Sequence, residues 1–210
     1  KAIDKANQVV VVEGYFDAIM AHQHGFQNTV ASMGTALTAR HLKILQKLTK
    51  SIDLALDPDA AGEKAMLLGF ETASQSLETK VVPVVQPGGS ISYVDVMDAE
   101  LKVLVLPGSK DPDEFIQEKP QQWKELVSTA SPALEYVFQS VTSGFNLNTM
   151  EGKEAAITKI SPFIKDVKNP LLRADYIAKL ASRLKLDTDY FVKLFPSATV
   201  NYRKDAEKGH

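Results

Sequence analysis

Cysteine is absent from the 210 residues, so the chain has no disulfide framework, no thiolate nucleophile and no cysteine-ligated zinc or iron–sulfur centre. Any metal must be held by oxygen or histidine, and the composition fits a reducing cytoplasmic compartment. Long apolar runs are missing too. No stretch approaches the roughly 20 residues needed to cross a bilayer. Lys1 to Gln8 mixes charge with small side chains where a secretory leader would be apolar. The expectation is a soluble protein with no membrane partner. An excess of one charge is also lacking: 24 basic against 26 acidic residues give a net charge of −2, which calls for neither nucleic acid nor anionic lipid. What is present, 44% hydrophobic and 24% charged residues, is enough for one generous core or a core with a smaller satellite. The charge is unevenly spread. Acidic residues outnumber basic ones 12 to 8 through Glu100, and basic outnumber acidic 16 to 14 after it.

Val9 to Val12 is a continuous β-branched run, the pattern of a strand buried on both faces of a parallel sheet. Phe16, Ile19 and Met20 at helical spacing predict a helix that stops near Gly25. Thr29 to Ala31 reads as a second strand. Thr38 caps a second helix marked by Leu42, Leu45 and Leu48, and Ser51 to Leu56 forms a third strand followed by a helical pattern from Ala60 to Leu77. This alternation predicts an α/β fold, a parallel sheet flanked by helices. Val81 to Val85 and Ile91 to Val96, separated by Gln86-Pro87-Gly88-Gly89, read as a hairpin appended to that sheet, and Leu101 to Leu106 as a further strand. From Pro132 onward no strand is predicted. Leu172, Tyr176, Leu180 and Leu184 mark a C-terminal helical subdomain, with breaks expected at Ser143-Gly144 and Ser161-Pro162. The division is residues 1–120 for the α/β domain and 121–210 for the helical one.

Three pairs of acids each follow a predicted parallel strand: Glu13 with Asp17, Asp57 with Asp59, and Asp111 with Asp113. In an open α/β sheet the carboxyl ends of the strands share one edge, where ligands bind. Six carboxylates gathered there without lysine partners repel one another unless divalent cations neutralise them, and hard oxygen donors suit Mg2+ or Mn2+. Two such ions serve phosphate chemistry by polarising an attacking hydroxyl and a leaving pyrophosphate. Each pair taken alone has a plainer role as a helix cap. It is their matching positions that point to one centre.

The segments Val9 to Asp17 (VVVVEGYFD), Ala31 to Thr38 (ASMGTALT), Leu56 to Gly62 (LDPDAAG) and Leu106 to Phe115 (LPGSKDPDEF) resemble the RNA-polymerase core of the bacterial primase family, whose catalytic module is the Toprim domain shared with topoisomerases. Asn169-Pro170 to Leu186 resembles the helical end of that core, so the likeness covers nearly the whole chain. The resemblance implies a nucleotidyltransferase, a DNA-directed RNA polymerase that makes short RNA primers from ribonucleoside triphosphates on a single-stranded DNA template. It implies Glu13, Asp57 and Asp59 as catalytic and metal-binding residues, with Asp17, Asp111 and Asp113 completing the ion site. It also implies a zinc-binding domain, a basic polymerase segment and a domain that binds the replicative helicase, all outside this chain. The isolated segment is therefore expected to make little primer. Where the family carries Asp-Gly-Asp, this chain has Asp57-Pro58-Asp59, and proline fixes φ and removes an amide donor. The alternatives are a noncatalytic Toprim module for DNA binding or assembly, in which that loop organises no ion, or another Toprim enzyme. Basic residues between Lys159 and Lys185 are candidates for phosphate contacts, and Trp123 is expected in the core.

Overall fold

The computed structural model describes residues 1–33, 37–55, 68–70, 72–73, 76–85, 91–108, 111–167 and 170–195. These residues divide into two compact units, Lys1–Glu78 with Asp98–Gly144, and Thr79–Met97 with Phe145–His210.

In the first unit a short helix α1 (Ala2–Ala6) leads into β1 (Val9–Val12), whose four valines are all buried. A strand can be apolar at every position only if both faces are covered. That holds here: β1 lies inside a sheet ordered β2 (Thr29–Ala31), β1, β3 (Ser51–Ala55), β6 (Glu100–Leu104), β7 (Ser131–Pro132) among the described residues. β2, β3 and β6 run parallel to it, with Val11 opposite Val30 on one side and Leu54 on the other. One face carries Val10, Val12, Ala55 and Leu104, which form a buried cluster with Ala21 of α2 (Tyr15–Gln23), Phe115 and Ile116 of α4 (Pro112–Glu118), and Trp123 of α5 (Pro120–Ser128). At roughly 25 cal/mol per Å2 of apolar area, Trp123 and Phe115, the largest of these side chains, make the largest single contributions to its burial free energy. On the other side α3 (Ala39–Gln46) packs on β3 with Leu42 and Leu45 buried. Thr38 Oγ1 accepts from His41 N, so the expected cap is formed. Buried Gln46 holds the Glu78 backbone at both ends, donating to its carbonyl at 2.8 Å and accepting from its N–H at 2.9 Å.

Two sequence expectations change in this unit. α2 forms, but Phe16 (64% exposed) and Ile19 (48%) face solvent, while Asp17 and Ala21 are buried. A two-residue strand β7 (Ser131–Pro132), not foreseen, pairs antiparallel with β6; proline is tolerated because this is the sheet edge. Of the helical pattern expected from Ala60 to Leu77, residues 68–70, 72–73 and 76 are helical, and residues 60–67, 71, 74 and 75 lie outside the described residues. α6 (Ala133–Ser143) closes the unit and ends at Gly144 as expected.

In the second unit β4 (Thr79–Val85) and β5 (Ile91–Met97) pair only with each other among the described strands, so the hairpin is its own two-stranded sheet and adds nothing to the parallel one. α7 (Met150–Asp166) runs straight through Ser161-Pro162, where a break was expected. Pro162 lies on the exposed side, and Ile157, Ile160 and Ile164 keep the helix docked from the inner side. Ser161 Oγ also donates to the Ile157 carbonyl. α8 (Pro170–Leu184) and α9 (Thr188–Leu194) complete the unit, with Tyr176, Leu180 and Leu184 buried as the spacing requires, alongside Phe191. No helix among the described residues is long and apolar enough to cross a membrane.

Candidate active site at the strand ends

Glu13 is the first residue past β1, partly buried, with its Oε1 atom shielded from solvent. Its carbonyl accepts from Met33 N at 3.0 Å and the Val12 carbonyl accepts from Ser32 N at 2.9 Å, so the chain leaving β2 is pinned beside the end of β1. Met33 takes φ 65° to make that turn. Gly14 caps α2 in an extended conformation (φ −94°, ψ 152°) open to any residue; its missing side chain matters for space, since a Cβ there would stand 3.0 Å from Asp17 Oδ2.

Asp17, three residues on, is 7% exposed. Its Oδ2 accepts from Gly14 N at 2.9 Å, closing the first turn of its own helix. Its Oδ1 accepts from Asp113 N at 3.1 Å, at the start of α4, 96 residues away in sequence. Burial pushes the Asp17 carboxyl above the ordinary aspartate range; the two backbone donors oppose this, and the negative charges of Asp113 and Asp111 add to it. Asp111 stands at the N-cap of α4 but its side chain caps nothing and is exposed, while Asp113 Oδ1 accepts from Glu114 N at 2.8 Å. Phe115 and Ile116, buried one turn further, anchor this segment to the sheet.

Two of the three acidic pairs therefore meet at the carboxyl edge of the parallel strands. The third pair, Asp57 and Asp59, lies outside the described residues, as do Pro58 and Gly62; β3 is described as far as Ala55, beside the end of β1. Carboxylates are the hard donors that a magnesium- or manganese-type ion takes, so the residues present fit such an ion in kind. Among the described residues no three acidic or histidine side chains by themselves form a group that could hold one.

Two features escape sequence reasoning. Asp53, in the middle of β3 and fully buried, accepts from Gln8 Nε2 at 2.7 Å and Ser51 Oγ at 2.9 Å. Burial raises its carboxyl above the ordinary range, against the opposing effects of Ser51, Gln8 and the positive charge of Lys102. Gln8 precedes β1 and Ser51 opens β3, so this acid sits toward the opposite edge from Glu13; the only sequence signal was one acid inside an apolar run. Of the basic residues between Lys159 and Lys185, Lys159, Lys165, Lys179, Arg183 and Lys185 are exposed, but Arg173 is buried, and burial lowers its pKa from the ordinary value. It belongs to the interior of its unit and not to a solvent-facing phosphate patch.

Residues 7–85 match the model of the Toprim domain, and residues 134–189 match that of the DnaB-helicase binding domain of primase. The sequence reading assigns helicase binding to a domain outside this chain; the second match puts a helicase-binding model within it. DNA primase of Neisseria meningitidis is 32% identical over 195 residues, covering 92% of this chain and 30% of that protein. A DNA primase domain from Pseudomonas aeruginosa aligns with a TM-score of 0.71 at 27% identity, over 92% of this chain and 56% of that one. The DnaG primase catalytic domain bound to ssDNA aligns with a TM-score of 0.70 at 26% identity, over 88% of this chain and 53% of that one. The chain thus spans about a third of the length of the curated relative it matches. Matched along nearly its whole length in both sequence and fold, the chain corresponds to the catalytic-core region of bacterial DNA primases.

Proposed function

We propose that this chain is the catalytic segment of a primase, which joins ribonucleoside triphosphates into a short RNA primer on a single-stranded DNA template by nucleotidyl transfer. The observation that carries this reading is that Asp17 joins Gly14, the residue after Glu13, to Asp113 at the edge where the parallel strands end. Glu13, Asp57 and Asp59 are assigned the catalytic, ion-holding role, with Asp111 and Asp113 bordering the same centre. Bound among them, Mg2+ or Mn2+ would polarise the attacking hydroxyl and offset the charge on the departing pyrophosphate. The chain's own part is to present carboxylates from rigid strand ends, so that an ion meets donors already in place. Glu13 suits this because its backbone is held on both sides, by the β1 ladder and by Met33 N.

The template, the nucleotides and the primer are the partners this chemistry requires, and the helices of residues 134–189 are proposed to take part in contact with the replicative helicase. Primer synthesis by the enzyme that carries this segment tests the reading. Asp59→Ala and Glu13→Gln should each abolish it, and wild-type synthesis by either variant refutes the assignment. The isolated chain should make little or no primer, which the same assay shows directly.

A further inference from the structure

We infer that Asp17 is a positioning residue: its carboxylate is a clamp that ties the start of α2 to the start of α4 and thereby sets Asp111 and Asp113 at the strand edge that Glu13 leaves. The consequence for catalysis rests on the reading above, whereas the clamp rests on geometry alone.

The backbone donors at the start of α4 can be accounted for one by one. The first N–H groups of any helix have no acceptor within it. Pro112 has no N–H. Asp113 N donates to Asp17 Oδ1, Glu114 N donates to Asp113 Oδ1, and Phe115 N donates to the Asp111 carbonyl. Asp111, in the position where a local cap is usual, supplies none. The cap of α4 therefore comes from a residue 96 positions earlier, and its own N-cap carboxylate stays exposed and uncommitted to capping.

The same carboxylate closes the first turn of α2 through Gly14 N, so each of its oxygens already accepts a backbone hydrogen. The orientation of α2 agrees. The helix leaves Phe16 and Ile19 in solvent and turns Asp17 inward, a rotation that costs apolar burial and is offset by two hydrogen bonds to a charged acceptor. Gly14 completes the arrangement, because any side chain at that position would crowd Asp17 Oδ2. A residue that only bound an ion at the strand edge would require neither the burial nor the glycine.

Amide hydrogen exchange on the metal-free chain, resolved by residue, tests the clamp, with Asp17→Ala and Asp17→Asn as variants. In Asp17→Ala, exchange at both Gly14 and Asp113 should accelerate on the order of tenfold or more while the β1 and β3 amides keep their protection. Asp17→Asn, which retains one acceptor oxygen, should accelerate one of the two. Manganese titration adds the readout that a purely stabilising role would not move: affinity should fall more in Asp17→Ala than in Asp17→Asn. Unchanged exchange at Asp113 in a folded Asp17→Ala overturns the inference, as does an equal loss of manganese affinity in the two variants. If Asp17→Ala does not fold, unchanged exchange at both amides in Asp17→Asn overturns it. Exchange is read without metal, so its result stands apart from whether Glu13 and its neighbours bind manganese.

Discussion

Replacing Asp53 by asparagine should leave the protein at least as stable at neutral pH and should flatten its pH dependence. Asp53 is fully buried in β3, with Gln8 Nε2 and Ser51 Oγ donating to its side chain. Lys102 is its register partner on β6 but also pairs with Glu100 at 3.2 Å, so its charge is shared. Burial dominates and the folded-state pKa is raised. The contribution of such a carboxyl to stability is fully present below the ordinary carboxylate pKa and is lost as pH rises through the raised folded value. An amide of the same shape accepts from Gln8, and the Ser51 hydroxyl can turn to accept from its nitrogen, so both hydrogen bonds survive without the buried charge. Urea unfolding of Asp53→Asn should therefore show a gain of about 0–1 kcal/mol over wild type near pH 7, shrinking toward pH 4. Asp53→Ala, which strips two part-buried donors of their acceptor, should lose about 2 kcal/mol. The reasoning is refuted if Asp53→Asn is less stable than wild type at pH 7 by an amount that does not change with pH.

Three further substitutions test other positions, Gly152 and Gly14 from their surroundings and Pro58 from its sequence. At Gly152, in the first turn of α7, a Cβ would fall within 2.8 Å of the Asn146 carbonyl carbon, so Gly152→Ala should cost about 1–3 kcal/mol in denaturant unfolding; a loss below measurement error would show that the loop yields freely. Gly14→Ala should displace the Asp17 carboxylate by a few tenths of an ångström and lower stability by about 1 kcal/mol. Faster amide exchange at Asp113 should accompany it, and unaltered exchange there would count against the close approach. Pro58→Gly, which restores an amide donor and a free φ between Asp57 and Asp59, should raise manganese affinity in calorimetric titration; a fall would mean that proline is the better spacer at this position.

What the sequence discloses here depends on whether the signal is local. Val9 to Val12 and Thr29 to Ala31 are legible to the residue because a β-branched run buried on both faces looks the same wherever its neighbours come from. The strand–helix alternation then gives the parallel sheet, at whose edge two of the three acidic pairs, Glu13 with Asp17 and Asp111 with Asp113, come together. The face of α2 is misread because Phe16, Ile19 and Met20 have helical spacing, whereas the inward side is set by Asp17 and its donors from Gly14 and Asp113. That second bond spans 96 residues and leaves no local trace. Pro162 reads as a break because propensity outweighs packing in a sequence; in the fold, three buried isoleucines hold the helix through it. The hairpin of β4 and β5 is locally evident, but nothing in its residues says that it pairs with no other strand. Asp53 is invisible for the opposite reason, since one acid in an apolar strand looks like an edge position until Gln8 and Ser51 are seen to enclose it.

The claim on which the rest depends is that carboxylates from separate strand ends jointly hold a divalent ion. Electron paramagnetic resonance titration of the chain with Mn2+, wild type beside Glu13→Gln, addresses it without requiring primer synthesis. The account predicts saturable binding by the wild type and an affinity lower by roughly tenfold or more in the variant. Equal affinity in the two proteins, or no saturable binding by the wild type, would contradict it.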